Sequence, residues 1–196
     1  MDLKAPGSGE VHRNRYENIE HLTLTGSANL TAKEIGAQTI STIMPSSLVQ
    51  KTKGSTGVNA ATSFSVAMTV APFAGNTMIA VISTRGTSAN IVTSITQSGV
   101  PNGTWVRASQ SNNTSMTTEI WYAPNLPSGS GTAITINQSN FRSAAVVMEY
   151  VGVLTSNPLD KVSQTNSVGT GTSASTGSTA TTIQANELWI GGIGIG

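Results

Sequence analysis

An all-β fold is predicted, an antiparallel β-sandwich wound like a jelly roll behind an extended N-terminal arm. Three observations predict it: a two-residue apolar period that sets in after Thr62, clusters of turn-forming residues recurring roughly every dozen positions, and no helical period in between. A parallel α/β sheet would need intervening helices. An immunoglobulin-like order produces the same rhythm, and a strand count near nine favours the jelly roll.

The elements follow in order. Gly7 to Asn18 has no apolar period and is expected to be extended or disordered when alone. His21 to Thr25 reads as a short strand, Thr31 with Glu34 as a capping box opening one helical turn, Gly36 as its stop, and Thr39 to Met44 as a strand ended by Pro45. Gln50 to Asn59, rich in Lys, Thr, Gly and Ser, reads as a linker. Phe64, Val66, Met68 and Val70 then share one face of a half-buried strand, with Ser63, Ser65, Ala67 and Thr69 on the other. Met78 to Ile82 is a continuous apolar run, the mark of a central strand covered on both faces. Further strands are expected at Ile91–Thr96, Trp105–Ser109, Thr118–Tyr122, Ala133–Asn137, Ala144–Val151, Thr179–Ile183 and Leu188–Ile195. These assignments divide the chain into an anchoring arm, 1–57, and a sandwich, 58–196.

Composition narrows the function. Only 10% of the 196 residues are charged, against roughly 25% in ordinary soluble domains, and Ser and Thr make up about a quarter. A net charge of +1 provides no basic surface to neutralise a phosphate backbone, so no nucleic acid is expected as partner. No apolar run approaches the ~20 residues that span a bilayer, and no membrane partner is expected. The absence of cysteine removes disulfides, thiolate zinc sites and cysteine nucleophiles together. Met1 to Glu10 lacks the basic start and apolar stretch of a secretory signal. Charge is also segregated: five acids and six bases lie within the first 53 residues, and eight charges are left for the remaining 143.

Catalytic constellations are sparse. Glu119 and Glu149 are the carboxylates that a glycosidase would need, yet several acids alternating along one strand are lacking, and no enzymatic activity is expected. Glu149 is expected to form a structural ion pair with Arg107, Arg142 or Arg85. His12 and His21 lack a third ligand at zinc spacing, and Asp160, after Asn157-Pro158-Leu159, reads as turn chemistry rather than a calcium ligand. No metal and no cofactor are expected. Val162 to Thr182 is uncharged low-complexity sequence, read equally well as an exposed loop or an interface. The apolar Leu188–Gly196 segment either is central to a sheet, or inserts in a partner, or belongs to a sandwich that continues beyond the chain; the last is the expectation.

The succession Gly75-Asn76-Thr77-Met78-Ile79-Ala80, Val92-Thr93-Ser94-Ile95-Thr96, Asn102-Gly103-Thr104-Trp105, Glu119-Ile120-Trp121-Tyr122-Ala123, Met148-Glu149-Tyr150-Val151-Gly152-Val153, Asn157-Pro158-Leu159-Asp160 and Glu187-Leu188-Trp189-Ile190-Gly191 resembles a β-sandwich module of bacteriophage virion proteins and bacterial extracellular proteins. The resemblance covers about residues 70–196 and implies a structural or adhesive role. The expectation is therefore a virion structural protein, most simply a capsid decoration or head-fibre subunit assembled in the host cytoplasm, with a tail-fibre or baseplate component as a close variant. It would dock on the major capsid protein or other virion subunits through arm residues such as Arg13, Arg15, Tyr16 and His21, as a homo-oligomer with a trimer as the starting assumption. The alternative is an extracellular carbohydrate-binding or adhesive module, in which Trp105, Trp121 or Tyr122 stacks on sugar rings; core filling is the favoured role for those aromatics.

Overall fold

The computed structural model describes residues 45–165, 175–184 and 186–194, together with the backbone of two short strands near the N-terminus. The chain divides into two units, Met1–Thr42 and Ile43–Gly196. In the first, β1 (Leu3–Lys4) pairs antiparallel with β2 (Glu10–Val11), Leu3 opposite Val11 and Lys4 opposite Glu10. The strands expected at His21–Thr25 and Thr39–Met44 and the helical turn after Thr31 lie outside the described residues.

The second unit is an antiparallel sandwich. Its strands are β3 (Ser47–Ser55), β4 (Ala61–Ala67), β5 (Thr77–Thr84), β6 (Val92–Gln97), β7 (Val106–Asn112), β8 (Thr117–Ala123), β9 (Ala133–Phe141) and β10 (Ser143–Val151). One sheet has the order β3-β10-β5-β8-β7 and the other β4-β9-β6. The outer pairings nest, first strand with last (β3 with β10), second with second-last (β4 with β9), third with third-last (β5 with β8), as in a jelly roll, while the innermost pair departs from it: β7 joins β8 at the edge of the larger sheet instead of pairing with β6.

Alternation builds the core. Phe64, Val66 and Met68 of the β4 segment and Ile134 and Ile136 of β9 meet Met78, Ala80 and Ile82 of β5 and Val147 of β10 between the sheets. The alternation expected from Phe64 onward holds for three residues and stops at Val70, which lies in the loop and is exposed. The apolar run at the centre of β5 also behaves as expected. Its inner residues fill the core, while on the opposite face Ile79 is only 7% exposed.

Two assignments are corrected. Residues 50–55 are not linker but most of β3, paired with β10 from Ser55 opposite Ala144 to Ser47 opposite Val151, so the sandwich begins well before residue 58. Its polarity is that of an edge strand: Lys51 and Lys53 are exposed, and Gly54 leaves room for β4, since a Cβ there would stand 2.9 Å from a Val66 methyl. The second correction concerns Thr179–Ile183 and Leu188–Ile195, whose described residues are in no strand. The latter segment runs along the outer face of the five-stranded sheet, where Cβ atoms at Gly192 and Gly194 would lie 2.8 Å from Val81 and 2.6 Å from Ser83 and Thr118. Its alternation is used against a sheet face instead of a sheet edge.

Candidate functional site: the apolar end of the sandwich

β3 starts, β10 finishes and the β4–β5 loop turns at one end of the sandwich. Here the inward period of β10, Ser143, Ala145 and Val147, brings Glu149 fully into the interior. A bare carboxylate in that place would be costly, and the loop satisfies it. Glu149 accepts hydrogen bonds from the Phe73 backbone N–H (2.8 Å), the Asn76 side-chain amide (2.6 Å) and Gln50 Nε2 (2.6 Å). Gln50 in turn accepts from the Val70 N–H (3.2 Å) and donates to the Val70 carbonyl (3.0 Å). The expected ion pair is therefore corrected. Neutral donors from β3 and the loop surround Glu149, because its inward position on β10 faces the loop backbone and not an arginine.

This bonding fixes the backbone of residues 70–76 while turning its apolar side chains outward. Phe73 is 60% exposed and Val70 51%. Leu48 and Val49 at the start of β3, and Leu154 just after β10, are exposed at the same end. A rigid loop bearing solvent-facing apolar groups resembles a contact surface, since a free loop gains nothing by holding a phenylalanine in water. The charged N-terminal segment joins the sandwich here, through Pro45 and Ser46.

The other buried carboxylate lies toward the opposite end. Glu119 accepts from the indole N–H of Trp121 (2.8 Å) and the Val92 N–H (3.1 Å), and Arg107 stands 3.5 Å away with its guanidinium over the Trp121 ring. Glu119 is opposite Ile82 and Glu149 opposite Met78, on the two flanks of β5. Four residues along and two strands across put them roughly 16 Å apart, beyond the ~5–9.5 Å of glycosidase pairs.

Trp105 and Trp121 are core residues, 5% and 8% exposed, so neither offers an open ring to a sugar; Trp105 donates its N–H to Gln97 and Trp121 is capped by Arg107. Tyr122 is half-buried on the outer face. The arm residues Arg13, Arg15, Tyr16 and His21 lie outside the described residues.

Past β10, the chain is tied back at several points. The Asp160 carboxylate accepts from the neighbouring Lys161 and, across 23 residues, from the Ile183 N–H (2.8 Å), a long-range tie where a local turn bond was expected, and those two hydrogen bonds, Lys161 first, hold its carboxyl below the ordinary 3.8. Gln164 accepts from Ser109 and from the Gln110 N–H at the β7 edge. Among the described residues no group of three or more His, Cys, Asp or Glu is placed to hold a metal ion, and no helix is long and apolar enough to cross a membrane. No family model, curated protein or solved structure matches the chain. The exposed apolar end was missed in sequence because Val70 continues the inward period of β4, and only the loop bonding turns it out.

Proposed function

We propose that the chain is a structural subunit of a bacteriophage virion, a capsid decoration or head-fibre protein, whose charged N-terminal segment and adjoining apolar sandwich end dock on the major capsid protein or another virion subunit. The observation that carries this reading is the continuity of the two: the charged segment enters the sandwich where Leu48, Val49, Val70, Phe73 and Leu154 are exposed around a loop held by Glu149. The opposed chemistry of charges and apolar groups suits a large partner surface, because charge steers association while apolar area supplies affinity. A body in which the 143 residues after position 53 carry only eight charges and are rich in hydroxyl side chains suits a passive, projecting part. As a homo-oligomer, with a trimer the first expectation, each copy would add such a contact.

The test is immunoelectron microscopy on purified phage particles from the strain that carries the coding sequence, using polyclonal antibody raised against the whole folded chain. Regular labelling over the head supports a decoration or head-fibre role. Labelling confined to tails moves the subunit to the tail, and labelling of the bacterial surface with bare particles overturns the reading.

A further inference from the structure

At the end opposite Glu149, where β5 finishes and β9 passes directly into β10 through the single residue Arg142, two arginines are held side by side. The Arg85 N–H donates to the Arg142 carbonyl at 2.8 Å, extending the ladder in which Thr84 is opposite Ser143. Arg85 and Arg142 are thus a directly opposed cross-strand pair. Like charges in that position destabilise a sheet, and short polar residues would serve the corner better. Their side chains line a pocket of about 430 Å³ together with Asn140, Ala60 and the half-buried Phe141.

No acid near them relieves this repulsion. Among the described residues the carboxylate of Glu119 binds Trp121, Val92 and Arg107; that of Glu149 binds Gln50, Phe73 and Asn76; that of Asp160 binds Lys161 and Ile183; and the side chain of Glu187 lies against Asp160. Neither Arg85 nor Arg142 has an ion-pair partner in this set, although Arg107, the third arginine of the sandwich, has both a carboxylate and an aromatic face. Asn140 lines the same depression two residues before Arg142 and offers an amide donor there. The depression is open to solvent, with Arg85, Asn140 and Arg142 exposed on its rim, so a ligand would be held by its oxyanion rather than by enclosure. Paired guanidinium forks match the planar oxygens of a carboxylate or the oxygens of a phosphate, and they remain charged at every physiological pH.

We propose that the pocket formed by Ala60, Arg85, Asn140, Phe141 and Arg142 is a binding site for an oxyanion carried on a small ligand, a carboxylate or phosphate borne by a group the size of one or two sugar units. The oxyanion bridges Arg85 and Arg142, Asn140 donates to it, and Phe141 borders the carrier. The site stands apart from the docking end and does not depend on the virion reading.

The test is NMR titration of the full chain at low ionic strength with glucuronate, inorganic phosphate and glucose, repeated with Arg85→Gln, Arg142→Gln and the double variant. Arg85 and Arg142 are solvent-exposed, and each variant is checked for native far-UV circular dichroism first. Saturable shifts confined to residues 60, 85 and 140–142 with either anion, but not with glucose, are expected. Each single variant weakens binding about tenfold, the loss of one charge-assisted hydrogen bond of about 1.4 kcal/mol, and the double variant abolishes it. A preference for glucuronate assigns the source as an acidic saccharide, and a preference for phosphate assigns a phosphorylated ligand. Shifts that do not saturate, that occur equally with glucose, or that persist in the double variant overturn the proposal.

Discussion

The two ends of the sandwich meet the same problem, a buried carboxylate, with different chemistry. Glu149 is enclosed by neutral donors, two of them from the β4–β5 loop and one from an edge strand. Glu119 uses a backbone N–H, an indole and a half-exposed arginine. The first arrangement makes a loop rigid and leaves its apolar side chains facing out. The second seals the core and leaves two other arginines nearby without an acid. The solvent-facing residues differ as well, apolar at one end and cationic at the other.

The largest effect that would break this contrast is expected at Glu149. Its replacement by Ala strands the Phe73 N–H and the Asn76 amide, and should lower unfolding free energy in urea by about 3 kcal/mol, since each buried unsatisfied donor costs roughly 1–3. Glu119→Gln keeps an acceptor for only one of Val92 and Trp121, which bond different carboxylate oxygens, turns an amide NH2 toward the other and weakens the contact with Arg107, for which about 2 kcal/mol is expected. A larger loss at Glu119 than at Glu149 would invert the roles assigned to the ends.

Gly99→Ala tests the loop packing on the apolar end. Gly99 has φ +74° and its Cβ would press on the Gly129 carbonyl, whose carbon lies 3.0 Å away, so about 2 kcal/mol is expected from strain and displacement together. An unchanged denaturation midpoint would show that these loops are not packed as described. Gly192→Val should cost about 1–2 kcal/mol and raise binding of an apolar dye, by lifting the terminal segment from Val81 and Thr118.

The smallest effects are the most specific. Phe73→Ser should change stability by less than about 0.5 kcal/mol, because the side chain is already in water, and on the docking role proposed above it should reduce incorporation into particles; a large stability loss would show that the side chain is packed and not free to dock. Asp160 has its folded value below 3.8, so the tie to Ile183 is complete above that pH and is lost as pH falls through the folded value. Limited proteolysis near Ile183 should accelerate in that acid window and be insensitive to pH from 5 to 8.

Much of the body was legible because alternation is a local property. The strands at 61–67, 77–84, 92–97, 117–123, 133–141 and 143–151 overlap those expected from period and turns. β3 was missed because Lys51, Lys53 and Gly54 carry a solvent edge and a close crossing, neither of which produces an apolar period. The opposite error arose at Leu188–Gly194, where apolar alternation is real but meets Val81 and Thr118 on a sheet face. The arginine pair could not be read at all, since Arg85 and Arg142 are far apart in sequence and become neighbours only through the Thr84–Ser143 register.

By itself the sequence determined the all-β class, the strand-rich centre and the segregation of charge, because each depends on residue type and near-neighbour spacing. Only the tertiary structure decided which donors reach Glu119 and Glu149, that Phe73 points outward, and that Arg85 stands beside Arg142. Those outcomes depend on which distant strands lie opposite one another, and register is set by the closing of the whole sandwich.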